Sequence, residues 1–284
     1  MSRQEVTVSK ETAWCPGCGN FPLRKALAGA LNELELSPDK VAMFTGIGQA
    51  AKMPHYLNVN GFNGLHGRSL PPAIGMRMAN HNIKVIVESG DGCTYGEGGN
   101  HILHNIRRNP DLTHLVHDNQ IYGLTKGQAS PTTGEEMRTP IQTEGINAAP
   151  LNPIKFAVGM GASFAARGFV GEMDHLQELI KEALNHRGYA LIDILQPCVS
   201  FNKINTYQWY KERVFHLEED GHDPSDYDEA FRRAREWGER IPIGIFYREE
   251  KEIFRDRFSR LGDTPLVEEA TSPGAARELI DDFR

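Results

Sequence analysis

Apolar positions along this chain follow two patterns, a helical period of three to four residues and short continuous runs. The helical pattern is clearest in residues 21–36, where Leu and Ala form one face and Ser37-Pro38-Asp39 ends the segment. The same period predicts four more helices, at 70–80, 100–108, 154–167 and 173–185. The continuous runs predict buried strands at 41–45, 83–89, 112–117, 169–170 and 189–195.

Helices and strands alternate, and this alternation predicts an α/β fold. We expect a doubly wound, mostly parallel sheet with helices on both faces. Ligands of such sheets bind beyond the carboxyl ends of the strands. The chain's unusual residues follow predicted strand ends, namely Gly46, Gly90, Asp118 and Cys198. The Thr-, Gly-, Pro- and Gln-rich stretch 124–152 is predicted to be a long ordered loop over a ligand.

The chain is predicted to have two regions. Residues 1–206 hold all the elements named above and are expected to form the ligand-binding domain. Residues 207–284 are rich in charge, with apolar breaks such as 241–246. This second region is predicted to be a C-terminal arm that packs on the domain or on a partner subunit.

Composition and charge narrow the function classes. The net charge of −7 argues against a general nucleic-acid binder. No apolar run approaches the roughly eighteen residues that a membrane helix needs. The first residues lack the apolar core of a signal peptide. We therefore expect a cytoplasmic protein that binds neither nucleic acid nor a membrane.

The most informative motif is Gly90-Asp91-Gly92, followed one strand later by Asp118-Asn119-Gln120-Ile121-Tyr122-Gly123. The Asp91 carboxylate, the Asn119 amide and the Ile121 carbonyl offer hard oxygen ligands of the kind that Mg²⁺ takes alongside phosphates. Glycines at 90, 92 and 123 would let the backbone approach a diphosphate closely. The pattern predicts a site for metal-bound diphosphate at two strand ends.

Cysteine usage indicates a metal or redox centre. Cys15 and Cys18 form a Cys-x-x-Cys pair, and Cys93 and Cys198 each follow a predicted strand. Zinc, iron–sulfur and thioredoxin-like chemistry compete as explanations for such a pair. A zinc ribbon would need a second close pair, and a thioredoxin motif would need a strand before residue 15. Neither is evident in the sequence.

Several motifs in order resemble the beta subunit of 2-oxoacid:ferredoxin oxidoreductases. They comprise the thiamine-diphosphate motif at 90–123 and the segments Trp14-Cys15-Pro16-Gly17-Cys18-Gly19, Gly46-Ile47-Gly48, Gly64-Leu65-His66-Gly67-Arg68, Gly98-Gly99-Asn100-His101, Tyr122-Gly123-Leu124-Thr125-Lys126-Gly127-Gln128 and Gln196-Pro197-Cys198. The resemblance covers roughly residues 12–206. It implies a thiamine-diphosphate-binding fold that holds the pyrophosphate side of the cofactor with Mg²⁺, beside a [4Fe–4S] cluster.

The resemblance also implies an activity and its partners. A beta subunit of this family works with an alpha subunit, which holds the aminopyrimidine side of thiamine. Together they decarboxylate a 2-oxoacid oxidatively with coenzyme A, giving acyl-CoA and CO₂, and pass electrons through the cluster to ferredoxin. The reverse carboxylation uses the same parts. We expect 2-oxoglutarate as substrate and a dimer of alpha–beta heterodimers as the assembly.

Site residues are assigned by the same resemblance. His66 is expected to contact cofactor or substrate, and Lys52 to face the substrate carboxylate, a role that suits a compact cation. Mg²⁺ would be held by Asp91, Asn119 and Ile121. The residues expected to bind thiamine diphosphate are Ile47, Gly48, Gln49, Ala50, His66, Gly90, Gly92, Cys93, Gly123, Leu124 and Thr125.

The chain departs from the family at one cluster ligand. The family carries Cys directly after Gly-Ile-Gly, whereas this chain has Gln49, whose amide is a poor ligand for a sulfide cluster. Cys93 stands where many relatives have an acidic residue. Because the turns before 49 and 93 follow strands expected to be close, our hypothesis is that Cys15, Cys18, Cys93 and Cys198 bind the cluster. The alternative is a buried Cys93 beside a three-Cys or empty site.

Two other functions remain open at this point. One is a thiamine-dependent decarboxylase or synthase subunit without a cluster. The other is a zinc-stabilised scaffold subunit with no catalysis. Iron, zinc and thiamine content would separate these two functions from the oxidoreductase.

Overall fold

The computed structural model describes residues 6, 10–135, 137–259, 261–269, 274, 277 and 280. The α-helices in this part of the chain are α1 Asn20–Glu33, α2 Leu70–Ala79, α3 Gly99–Arg108, α4 Pro153–Gly159, α5 Met173–Asn185, α6 Tyr207–Lys211 and α7 Tyr227–Arg233. The strands are β1 Val41–Thr45, β2 Asn60–Asn63, β3 Lys84–Gly90, β4 Leu112–Asp118, β5 Ile121–Tyr122, β6 Gln128–Ala129, β7 Phe164–Phe169, β8 Tyr189–Leu195, β9 Val214–His216 and β10 Ile241–Arg248.

Eight of these strands form one sheet in the order β2-β1-β3-β4-β8-β7-β10-β9. Neighbouring strands are parallel except β10, which runs antiparallel to β7. Strands β1, β4, β7 and β8 are buried along their whole length. Burial on both faces is typical of a parallel sheet covered by helices. The predicted doubly wound, mostly parallel sheet is confirmed.

Two hydrophobic cores lie on the two faces of this sheet. One core contains the apolar faces of α1 and α5, with Leu27 and Ile180 fully buried. The other contains side chains of α2, α3 and α4, including Ile106 and Ala157. Because both faces are occupied, open space for a ligand lies at the ends of the strands.

The central strands bring the predicted motifs to one edge of the sheet. β1 pairs with β3, and β3 pairs with β4, all in parallel. Their carboxyl ends carry Gly46, Gly90 and Asp118 side by side. The expectation that the turns before residues 49 and 93 follow adjacent strands is therefore confirmed.

The predicted helix at 154–167 is too long, and the strand predicted at 169–170 begins earlier and ends at Phe169. The helix, α4, ends at Gly159, a turn follows in which Gly161 has a φ of +77°, and β7 then occupies Phe164–Phe169. The segment 164–169 is short and contains two alanines, so its local preference for a strand is weak. Its strand conformation comes from pairing with β8 and β10 on either side.

Part of the predicted C-terminal arm belongs to the sheet. β10 pairs with β7, and β9 extends the sheet beyond β10. These two strands were not predicted, and in β10 the apolar run 241–246 contains Pro242 and Gly244, which weaken a strand pattern. The described strands β9 and β10 therefore belong to the domain's sheet, and the boundary at residue 206 stays a prediction.

Candidate active site

One cavity lies at the carboxyl ends of β1, β3 and β4. Fifteen residues line it, and fourteen of them are the predicted thiamine and Mg²⁺ contacts. Tyr122 is the additional one. The lining comprises Ile47, Gly48, Gln49, Ala50, His66, Gly90, Asp91, Gly92, Cys93, Asn119, Ile121, Tyr122, Gly123, Leu124 and Thr125. The structure thus gathers residues from four separate segments around one space.

Asp91 lies at the base of this cavity, where β3 ends and a π-helical turn, Gly92–Glu97, begins. Its side chain is only 1% exposed. Oδ2 accepts hydrogen bonds from the hydroxyls of Ser130 and Thr132, and burial raises the carboxyl pKa above its ordinary value. Two hydroxyls do not offset the cost of burying a carboxylate as a cation would. The site therefore presents an acidic group whose ionised form a metal ion would stabilise.

Thr132 connects Asp91 to a second buried carboxyl group. Its Oγ1 lies 2.8 Å from Asp91 Oδ2 and 2.7 Å from Asp118 Oδ1. A hydroxyl carries one proton, so it cannot donate to two carboxylates at once. Burial raises the pKa of Asp118, and the charges of Asp193 and Asp91 raise it further. Burial thus favours the protonated form of both carboxyl groups, and Thr132 bridges them.

The Asn119–Ile121 turn presents the other predicted Mg²⁺ ligands. Asn119 Oδ1 accepts a hydrogen bond from the Ile121 N–H at 2.9 Å, and Gln120 between them has a φ of +61°. This closed turn fixes the Asn119 amide beside the cavity. The Tyr122 hydroxyl donates to the Glu97 carboxylate at 3.0 Å.

The glycines of this cavity fall into two groups according to the space around them. A Cβ at Gly92 would collide with the Tyr122 ring, so only glycine fits there. A Cβ at Gly48 or Gly123 would meet no atom within 4 Å. At these two positions the backbone faces open space that a ligand could occupy.

The two predicted catalytic residues lie at different distances from the cavity. His66 lines it, and its Nδ1 lies 3.3 Å from Glu97 Oε2. Lys52 is half-buried in the 3₁₀ helix Ala50–Tyr56, next to the cavity but outside its lining. Their roles stay predictions.

Three of the four cysteines lie together. All four are free thiols. Cys18 interacts electrostatically with Cys198 and Cys15, while burial, the largest cause, raises its pKa to about 11. Ser200 donates a hydrogen bond to Cys15 Sγ at 3.2 Å.

Cys93 has different neighbours. Its Sγ accepts a hydrogen bond from the Gly67 N–H at 3.2 Å and lies against Gly46, where a Cβ would collide with it. Among the described residues, no group of three or more His, Cys, Asp or Glu side chains is arranged to hold a metal ion. The structure therefore brings together Cys15, Cys18 and Cys198, and places Cys93 at the cavity floor.

Three residues of the site, Ser130, Thr132 and Tyr122, were not predicted from the sequence to be site residues. All three lie in or beside the loop that was predicted to cover the ligand, and that loop does reach the Asp91 carboxylate. The described residues of 130–152 contain no helix or strand. The run Ser130-Pro131-Thr132-Thr133 was a usable signal, because hydroxyl side chains commonly complete a buried carboxylate site.

Comparison with known protein families agrees with this geometry. Residues 42–194 match the family described as thiamine pyrophosphate enzyme, C-terminal TPP binding domain. Residues 198–263 match the family that describes the C terminal of the pyruvate ferredoxin oxidoreductase beta subunit. The first match covers more than half of the chain and spans the whole cavity. Fold and site thus define a subunit of a thiamine-pyrophosphate-dependent enzyme.

Two relatives and one solved structure show which kind of thiamine-pyrophosphate-dependent enzyme the chain resembles. Subunit beta of 2-oxoacid:ferredoxin oxidoreductase 1 from Aeropyrum pernix is 45% identical over 246 residues, 82% of this chain and 77% of that protein. The 2-oxoglutarate oxidoreductase subunit KorB of Mycobacterium tuberculosis is 39% identical, covering 70% of this chain and 53% of that protein. A solved structure of 2-oxoglutarate:ferredoxin oxidoreductase from Magnetococcus marinus, with 2-oxoglutarate, coenzyme A and succinyl-CoA bound, matches with a TM-score of 0.87 at 36% identity. It covers 90% of this chain and 88% of that chain.

The chain belongs to the beta subunits of the 2-oxoacid:ferredoxin oxidoreductases. Membership of the beta subunits implies that the chain has an alpha subunit as its partner. Among the described residues, no helix is long and apolar enough to cross a bilayer.

Proposed function

We propose that this beta subunit binds Mg²⁺ and the diphosphate of thiamine for the oxidative decarboxylation of a 2-oxoacid. Coenzyme A takes the acyl group, CO₂ leaves, and two electrons pass singly through a [4Fe–4S] cluster to ferredoxin. The observation that carries this proposal is the convergence of Asp91, Asn119 and Ile121 on one cavity at adjacent strand ends. The same residues would serve the reverse carboxylation.

The donor set fits Mg²⁺ and diphosphate. Asp91 supplies a carboxylate, Asn119 an amide oxygen and Ile121 a backbone carbonyl, all of them ligands that suit a hard cation. Open space at Gly48 and Gly123 allows phosphate oxygens to approach the backbone. When bound, thiamine diphosphate supplies the electron sink for decarboxylation. The protein's part is to hold the diphosphate, and a bound metal ion would stabilise the ionised form of Asp91, whose pKa burial raises.

The thiols fit an iron–sulfur cluster in part. Cys15, Cys18 and Cys198 lie near one another and would supply three thiolates to a bound cluster, which needs a fourth ligand. We propose Cys93 for that position. Its sulfur lies against Gly46, at the start of the turn that ends in Gln49, the residue that replaces the family's cysteine. The Gly67 N–H that now donates to Sγ would stabilise a thiolate there.

We propose 2-oxoglutarate as the substrate. The Mycobacterium tuberculosis relative is named for it, and the Magnetococcus marinus structure holds it together with coenzyme A. Such a substrate carries two carboxylates. Lys52, next to the cavity, is proposed to pair with one of them, and His66 to contact the cofactor or the reacting end of the substrate.

The rim of the cavity carries exposed apolar side chains. Ile47 and Leu124 belong to the cavity lining, and Leu65 directly precedes His66, which also lines it. These three side chains are 40%, 41% and 68% exposed, respectively. Exposed apolar side chains around a site often mark a protein interface. We propose that the alpha partner packs over this rim and completes the thiamine site. Two such alpha–beta heterodimers would form a dimer, to which ferredoxin binds transiently.

Cofactor analysis of the co-expressed alpha–beta complex tests the proposal. We expect thiamine, magnesium and iron in the purified complex, together with coenzyme A-dependent reduction of viologen by 2-oxoglutarate. Thiamine without iron would support the cluster-free decarboxylase or synthase instead. Zinc without thiamine would support a scaffold role and overturn the proposal.

A further inference from the structure

A chain of buried polar side chains connects the cysteine loops with the strand end that carries the proposed Mg²⁺ ligands. Asn20 lies two residues after Cys18, and its Oδ1 accepts hydrogen bonds from His117 Nδ1 at 2.8 Å and from Gln196 Nε2 at 3.1 Å. Gln196 in turn lies two residues before Cys198. One amide oxygen therefore joins both cysteine loops to β4.

The other end of this series of hydrogen-bonded side chains lies at the proposed diphosphate site. His117 lies on β4 directly before Asp118, the last residue of that strand, and its Nε2 contacts the carboxylate of Glu88 on β3. The Gln196 N–H donates to the Asp118 carbonyl at 2.9 Å. Asn20, His117 and Glu88 are fully buried. Loss of one of these hydrogen bonds would leave a buried polar group without a partner, so the network is expected to be rigid.

A second link joins the first cysteine loop to the cavity wall. Trp14, directly before Cys15, donates its indole N–H to the Gln49 carbonyl at 2.9 Å. The indole ring packs edge-on against Tyr56 and Phe21, with centroid distances of 4.7 and 5.4 Å. Gln49 lines the cavity, so a movement of the loop would move the cavity wall.

We propose that these two links couple the cofactor sites energetically, with Asn20, His117 and Trp14 as positioning residues. Cluster assembly would fix the cysteine loops, and the links would then hold β4 and the Gln49 turn in the form that binds thiamine diphosphate. Such coupling is reciprocal, so thiamine diphosphate would also stabilise the cluster. This inference rests on the proposed function and adds an interaction between its two sites.

The test compares thiamine diphosphate affinity with and without the cluster. Isothermal titration calorimetry on the co-expressed complex with Mg²⁺ gives Kd before and after removal of iron by ferricyanide and EDTA. We expect iron removal to raise Kd about tenfold in the parent complex, within the usual range of coupling between sites. In Asn20→Ala the same treatment should change Kd by less than about twofold. Trp14→Phe keeps the packing, loses the N–H donor, and should reduce the effect in part.

A matched control separates coupling from general damage. Glu88→Gln preserves a hydrogen bond to His117 and should retain the full effect of iron removal. If Asn20→Ala does not assemble, Trp14→Phe together with the parent complex decides the outcome. Equal Kd values with and without iron in the parent, or an undiminished effect in both link variants, would overturn the coupling and leave the proposed function standing. A complex that binds no thiamine diphosphate, or no iron, would overturn both.

Discussion

A single carboxyl group, Asp91, decides most of the chemistry at the residue scale. It is fully buried, its side chain accepts hydrogen bonds from the neutral hydroxyls of Ser130 and Thr132, and burial raises its pKa. A buried carboxylate without a cation is costly, and such groups occur where a protein binds a metal or performs acid–base chemistry. The position of Asp91 beside Asn119 and Ile121 favours a metal.

Asp91→Asn should prevent Mg²⁺-dependent retention of thiamine diphosphate and leave the fold intact, because Asn can still hydrogen-bond to Ser130 and Thr132. Loss of a residue around a metal commonly lowers metal affinity about 10–100-fold, and loss of a direct ligand should reach at least the upper end. Thiamine content after gel filtration of the complex measures this. The exposed Asp39→Asn is the control and should retain the cofactor. Full retention in Asp91→Asn would refute the metal assignment.

Lys52→Met tests the proposed substrate contact. A charge-assisted contact contributes about 1.5–3 kcal/mol, so its loss should raise KM for 2-oxoglutarate roughly ten- to a hundredfold. KM for coenzyme A should stay unchanged. Lys40→Met, at an exposed lysine beyond the cavity, should alter neither value. Equal effects on both substrates would show that Lys52 acts on the fold instead.

Cys93→Ser tests the proposed fourth cluster ligand. We expect the four-iron electron paramagnetic resonance signal to disappear or to become that of a three-iron cluster, because serine is a poorer iron ligand than thiolate. Thiamine content should fall less than iron content. Gln49→Cys added to the same variant should restore the signal if both turns reach the same iron. An unaltered four-iron cluster in Cys93→Ser would exclude this residue as a ligand.

At the element scale, the central strands carry buried polar groups as well as apolar ones. His114 on β4 is fully buried, and its Nδ1 lies 2.7 Å from the Tyr189 hydroxyl on β8. Burial is the larger cause, and the neighbouring His117 the smaller, that lower the His114 pKa from 6.5 to about 3. The folded strand pair therefore holds a neutral imidazole that the unfolded chain would protonate.

This strand pair should lose stability in acid. The unfolded chain takes up a proton at His114 below pH 6.5, and the folded chain does so only near pH 3, so stability falls as the pH is lowered between these values. From pH 6.5 to 5 the loss from this residue should be about 2 kcal/mol. Urea unfolding of the full chain, followed by circular dichroism at several pH values, gives the slope of the unfolding free energy against pH. His114→Gln should have a shallower slope and the exposed His104→Gln an unchanged one; identical slopes in all three proteins would refute the assignment.

At the scale of the whole molecule, we expect the chain to supply one side of the proposed thiamine site. The cavity opens at a rim of exposed apolar residues, and the motifs found cover the diphosphate half of the cofactor. The purified single chain should therefore show no 2-oxoglutarate oxidation with coenzyme A and viologen present. Addition of the separately purified alpha subunit should restore turnover. Measurable turnover by the single chain would contradict the need for a partner.

The sequence by itself determined the elements and the chemistry of the central strand ends. Continuous apolar runs located β1, β3, β4 and β8 to within a residue or so, because a strand buried on both faces admits few polar residues. Turn residues such as Gly90, Asp91 and Asn119 were recognisable because turn geometry and metal ligation are local properties of residue type. These local properties and the resemblance to the family, which supplied the other assignments, together named fourteen of the fifteen residues that line the cavity.

Only the tertiary structure decided what depends on distant neighbours. Segment 164–169 is a strand because β8 and β10 flank it, although its own composition does not favour one. Thr132 reaches Asp91 across 41 positions, and Asn20 reaches His117 across 97. No local pattern encodes such contacts, because they arise from strand order and loop folding. For the same reason, the sequence could propose Cys93 as a cluster ligand, but only the fold revealed that its sulfur lies against Gly46 and accepts a hydrogen bond from the Gly67 N–H.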